Sequence, residues 1–170
     1  TTKALVKHSP IPVMAIPKDT SQKDFDKVLY ASDLRENDVQ AVAMLVQLIA
    51  PYQAEIEILH VYPDSEYKGN EKIEWFKELV TEHIDYEGIS FEVLRSDDIY
   101  ATLHNHMSRN NFNLLVMLEK KRNNIFQKLF QEDLVKKMEF HTWMPLLSYN
   151  EDFLLTSDEK DLKKGDTIAQ

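Results

Sequence analysis

The sequence predicts an α/β protein built on a doubly wound, open and mostly parallel sheet. Two observations carry this. Short apolar runs of strand type alternate with amphipathic helical segments along the chain. One helix-to-strand ending also occurs twice, near the start and again near the end.

Val28–Ser32 is a short apolar run closing on polar residues, as a buried strand does. Asn37 or Asp38 can cap the helix that follows. That helix is expected to reach Ala50, apolar nearly all round (Val39, Val42, Met44, Leu45, Val46, Leu48, Ile49), with Pro51 ending it. Ile56–Tyr62 is the second strand. Gly69 and Asn70 lead into a helix with Ile73, Phe76, Leu79, Val80 and Ile84 on one face, and Gly88 punctuates it. Ile89–Leu94 alternates as a strand. Asp97 or Asp98 caps a third helix carrying Ile99, Tyr100, Leu103 and Met107 inward. Leu114–Leu118 is a strand-type run, and a fourth helix carries Phe126, Leu129, Phe130, Leu134 and Met138. Pro145–Tyr149 is the closing strand. Right-handed crossovers leave few topologies for this order.

The repeated ending runs His8-Ser9-Pro10-Ile11-Pro12-Val13-Met14-Ala15-Ile16 and His141-Thr142-Trp143-Met144-Pro145-Leu146-Leu147-Ser148-Tyr149. His and one Pro are identical, and the same offset relates Lys3 to Lys136. The offset is the size of one α/β domain, which implies two in tandem. Residues 1–17 are then the last helix end and strand of a preceding sister domain, 18–26 a linker, 27–150 the α/β domain, and 151–170 a polar extension that Phe153, Leu154 and Leu155 can pin. Thr1 agrees with a piece of something longer. Ile11–Ile16 is thus an apolar strand without its own sheet, and an open apolar edge aggregates. Its natural partner is Pro145–Tyr149, in the same chain or another; Pro12 and Pro17 remove donors and suit an edge. The expected interface is Ile11, Val13, Met14, Ile16, Pro145, Leu146, Leu147 and Tyr149.

The 170 residues suffice for one domain with a real core. The absence of cysteine excludes disulfides, thiolate metal sites and cysteine nucleophiles. A net charge of −9 argues against general nucleic-acid binding. The longest apolar run, Ala41–Ala50, is far shorter than the roughly 18 residues of a membrane span. A cytoplasmic location is the default expectation.

Together, Val28-Leu29-Tyr30-Ala31-Ser32-Asp33-Leu34, Leu59-His60-Val61, Asn113-Leu114-Leu115-Val116-Met117 and the closing His-Thr-x-x-Pro-apolar ending resemble the universal stress protein family over residues 27–149. Residues 1–17 resemble that family's ending once more. The resemblance implies a Rossmann-like sheet of order 3-2-1-4-5 whose last strands pair across a dimer or across two tandem halves. It also implies a ligand crevice where the strand order reverses, between the loops after the first and fourth strands. In ATP-binding members an Asp follows the first strand and a Val of the second lines the adenine pocket. Asp33 and Val61 stand at those positions, and the nucleotide-site candidates are Ala31, Ser32, Asp33, Val61, Met117, Lys120, Lys121 and Arg122.

Those members cradle phosphates with Gly-x-x-Gly-nine residues-Gly-Ser/Thr, because backbone N–H groups must approach closely. Here Leu118, Lys121, Gln131 and Glu132 occupy the positions. A carboxylate about 4 Å from a phosphate costs roughly 4 kcal/mol at an effective dielectric of about 20. Lys120-Lys121-Arg122 could replace the lost donors with side-chain charge, or form a solvated turn. Asp33 could equally do no more than cap the turn that follows it.

His104-Asn105-His106 does not share a helix face, so joint metal ligation is poor, and His60 reads as a hydrogen-bonded core residue. No nucleophile elbow, dinucleotide or P-loop motif is present, and the chain has only 3 glycines. The expectation is a non-enzymatic universal stress-type module with a degenerate nucleotide site. It binds no cofactor or metal and acts through its sister domain or a homodimer, with no nucleic-acid or membrane partner. The alternative is a sensor of ATP or another adenine nucleotide using Asp33 and Lys120–Arg122.

Overall fold

The computed structural model describes residues 9–18, 20, 24–65, 69–119 and 144–154. Six strands form one sheet: β1 (Val13–Ala15), β2 (Lys27–Ala31), β3 (Glu55–Tyr62), β4 (Ile89–Arg95), β5 (Leu114–Glu119) and β6 (Leu146–Asn150), in the order β1-β6-β5-β2-β3-β4. Counted from β2, the last five strands follow the order 3-2-1-4-5. They are parallel throughout, and β1 adds antiparallel on the outer edge of β6, with Met14 opposite Leu147. Helices α1 (Glu36–Ile49), α2 (Gly69–His83) and α3 (Ile99–Arg109) cover the sheet.

The strand side chains divide with the period of two that a pleat imposes. Val28, Tyr30, Ile56, Ile58, Leu114 and Val116 pack with Val42, Leu45 and Ile49 of α1 and Phe76 and Val80 of α2. Leu29, Ala31, Leu59, Val61, Leu115 and Met117 pack on the other face with Ile99, Leu103 and Met107 of α3. Every residue of β5 is buried, which is why its sequence reads as a continuous apolar run rather than an alternation. Each fully buried Leu, Val or Phe contributes roughly 1.5–3 kcal/mol.

Several boundaries differ from the sequence reading for local reasons. Arg35 is the N-cap of α1, so Asn37 and Asp38 lie inside its first turn; the Asp38 carboxylate instead accepts from the Arg35 N–H at 3.0 Å. Helix α1 is apolar nearly all round but not buried all round, since Leu48 is 49% exposed. It stops at Ile49, and Pro51 sits in the first turn of a 3₁₀ segment, Ala50–Tyr52, where its missing N–H costs nothing. Helix α2 already begins at Gly69. Asp98 caps α3 by accepting from the Ala101 N–H at 2.9 Å, while the Asp97 carboxylate accepts from the Asp64 N–H. Gly88 leaves room for its neighbours: a Cβ there would meet the Tyr86 ring at 2.7 Å and the Ala54 carbonyl oxygen at 3.1 Å.

The largest correction concerns the first strand. Of Ile11–Ile16 only Val13–Ala15 pairs, and Ile11 and Ile16 are each 61% exposed beside Pro12 and Pro17. Pro145 precedes β6 rather than opening it, its carbonyl accepting from the Leu115 N–H at 3.0 Å. The fourth helix, Lys120–Arg122, Gln131, Glu132, His8, His141 and Leu155 lie outside the described residues.

Beyond β6, residues 151–154 form a helical turn that returns to the sheet, with Leu154 buried in the α1–α2 core and Phe153 packed beside it. Leu154→Ala is therefore expected to cost about 2–5 kcal/mol of unfolding free energy in urea titration. Leu48→Ala, at an exposed position, should change it by less than about 0.5 kcal/mol. Equal effects would contradict this placement of residues 151–154.

Candidate functional site

Strand order reverses between β2 and β5, so the crevice of an open α/β sheet falls at their carboxyl ends. Ala31 and Met117 are register partners there, and Val61 lies on the same face, two residues beyond Leu59, which pairs with Ala31. These three predicted residues form one buried apolar floor on the α3 side. The segment 32–35 follows β2, and Asp33 is half-buried at its tip. Glu119 ends β5 in register with Asn150 and is buried.

Segment 32–35 is held by several polar contacts. The Ser32 N–H donates to the Leu59 carbonyl at 2.9 Å, and the Ser32 carbonyl accepts from the His60 ring at 2.8 Å. The Ser32 hydroxyl oxygen accepts from the Leu34 N–H at 2.8 Å. Leu34 is buried with φ 55, a left-handed conformation that costs of order 1–3 kcal/mol and persists only where the surroundings impose it.

On the α1 side, the Tyr30 hydroxyl donates to Asp38 at 2.9 Å, and the other Asp38 oxygen holds the Arg35 N–H. Sequence patterning recognises Tyr30 as strand and Asp38 as helix start, but the bond between them depends on how α1 returns over β2. Burial is the largest cause that pushes the Tyr30 phenol well above its usual 10.0, followed by the Asp38 charge and hydrogen bond, with Tyr149 and Asp33 adding smaller contributions. Burial alone pushes Tyr149 up to about 12.

The described histidines do not assemble. His60 is in the core, while His106 on α3 meets Glu57 of β3 and stacks near Phe112. Among the described residues no group of three or more His, Asp or Glu side chains could hold a metal ion. No described helix is long and apolar enough to cross a membrane.

An open sheet with a crevice at its switch point defines a broad class of α/β binding folds, and comparison narrows it. No family model matches the chain, and no curated protein sequence matches it. Among solved structures, a universal stress protein from Archaeoglobus fulgidus is similar over 88% of this chain and 53% of its own, with TM-score 0.64 and 16% identity. A universal stress protein solved in complex with cAMP is similar over 76% of this chain and 99% of its own, with TM-score 0.56 and 15% identity. The chain has the fold of universal stress proteins, and it spans about half the length of the Archaeoglobus protein.

The two buried phenols make stability depend on alkaline pH. Their folded-state pKa values lie above the unfolded value of 10.0, so the stability they confer is complete below pH 10.0 and is lost as pH rises toward about 12. Urea titrations across that range should show the unfolding free energy falling, with a shallower fall in Tyr149→Phe. Tyr30→Phe should lose roughly 1–3 kcal/mol at neutral pH, because Asp38 keeps its burial but loses a donor. A Tyr30→Phe variant as stable as wild type would contradict the bond.

Proposed function

We propose that this chain is a non-enzymatic, cytoplasmic universal stress-type module. It works in stress response through association along its last-strand edge, with the phosphate half of its nucleotide site lost. The observation that carries this reading is β1 lying antiparallel on β6 at the end of the sheet, with Ile11 and Ile16 exposed beside the outer edge of β1. The repeated ending and the half-length match to the Archaeoglobus protein support β1 as the last strand of a preceding sister domain. The partner is then that sister domain or a second copy.

Loss of phosphate binding is supported by the position where the family's first loop glycine would stand. Leu118 is inside β5, buried in the α1–α2 core, and Glu119 puts a buried carboxyl group directly after it. Neither offers the exposed backbone donors that a phosphate needs.

The second reading, an adenine-nucleotide sensor, is favoured by the floor of Ala31, Val61 and Met117 beside Asp33. The structural neighbour solved with cAMP also supports it. In this reading Lys120, Lys121 and Arg122 supply the charge.

Light scattering on the whole chain and on a deletion of residues 1–17 tests the leading reading. Deletion should uncover β6 and produce aggregation or a changed oligomeric state; a soluble species of unchanged state would count against it. Thermal-shift titration with Mg-ATP, AMP and cAMP separates the two. Absence of a shift at millimolar nucleotide is expected, and a shift abolished by Asp33→Ala would replace the first reading by the second.

A further inference from the structure

We infer that His60 is a positioning residue for the Asp33 loop, acting through the carbonyl of Ser32; the inference rests on the crevice between β2 and β5 being the ligand site. Ser32 is fully buried one residue past the end of β2, so its carbonyl has no water to turn to. The His60 ring supplies the bond, with Nδ1 2.8 Å from that oxygen. A carbonyl can only accept, so Nδ1 carries the hydrogen and Nε2 is left as a bare lone pair.

That Nε2 is itself buried and has no hydrogen-bond partner. A histidine in a core strand that leaves one nitrogen unsatisfied is a poor choice for stability alone. The position asks for one donor, aimed at one carbonyl. Leucine would fill the space but strand the Ser32 oxygen. His60 lies nearly parallel to the Tyr62 ring, 6.2 Å between centres and 11° between planes, which fixes the direction of the imidazole.

The consequence travels along the loop. With its carbonyl held by His60 and its N–H by Leu59, Ser32 can aim its hydroxyl oxygen at the Leu34 N–H and keep Leu34 at φ 55. Asp33 lies between these two anchored residues, so its position at the crevice is set from both sides. Arg35, held by Asp38, completes the turn into α1.

The test compares His60→Leu with His60→Asn, since an Asn amide can place a donor close to where Nδ1 stands. Amide hydrogen exchange by NMR should show Ser32, Leu34 and Arg35 exchanging roughly tenfold faster or more in His60→Leu, from the stranded carbonyl. Leu115 in β5 should exchange as in wild type, and His60→Asn should restore the loop. The imidazole ¹⁵N shifts of wild type should report the Nδ1–H tautomer. Uniform acceleration across the sheet, failure of Asn to rescue, or the Nε2–H tautomer would overturn the inference. A parallel titration with AMP reads the site: if AMP shifts wild type, His60→Leu should lose most of the shift and His60→Asn should keep it. If AMP leaves wild type unshifted while the loop amides respond as stated, the positioning role stands and the nucleotide reading of the crevice fails.

Discussion

Strand β6 has buried residues along almost its whole length although only β5 lies beside it in the parallel sheet. An apolar strand cannot remain an open edge in water, because its unpaired N–H and C=O groups recruit other strands. The antiparallel addition of β1 meets this constraint, and much else depends on it. It lies beside Leu146 and Leu147, which face the two cores, while Tyr149 is buried in the same α1-side core as Tyr30. On the same face, Tyr30 bonds Asp38 at the start of α1. The short length of β1 and the prolines around it limit further growth of the sheet while leaving Ile11 and Ile16 outside.

At the switch point, polar groups are used to shape backbone rather than to line an open cleft. His60, Ser32 and Asp38 are all buried, and each bonds a main-chain group of segment 32–35. This makes the strained Leu34 tolerable, since four surrounding bonds impose its conformation rather than its own preference. The floor of Ala31, Val61 and Met117 is apolar, and Leu118 and Glu119 are both buried at the end of β5.

Most of the architecture was legible because buried parallel strands announce themselves. Val28–Ala31 and Leu114–Leu118 have no polar residue to hide, and α2 and α3 show their inward faces at helical spacing. Asp98 was legible as a cap because capping is local. Asp38 was misread for the opposite reason: a carboxylate three residues inside a helix can reach back to the cap residue, and sequence alone cannot distinguish that from capping forward. The extent of β1 was overread because Ile11 and Ile16 are apolar, yet Pro12 and Pro17 interrupt the pairing beside them. At the site, Ala31, Val61 and Met117 were found through the family resemblance and do meet on one face. His60 reads in the sequence as a hydrogen-bonded core residue and is one, but its partner, the Ser32 carbonyl, depends on the register of β2 against β3 and is not legible there.

Strand β1 closes the edge of its own chain's sheet with Met14 opposite Leu147. The chain has no cysteine, so Met14→Cys with Leu147→Cys introduces a single possible disulfide. Directly opposed residues of an antiparallel pair lie about 4.5–5.5 Å apart at Cα, within the reach of that bond. Intact mass spectrometry after mild oxidation should find a monomer that has lost two hydrogens. A disulfide-linked dimer, or free thiols in a folded chain, would contradict the account.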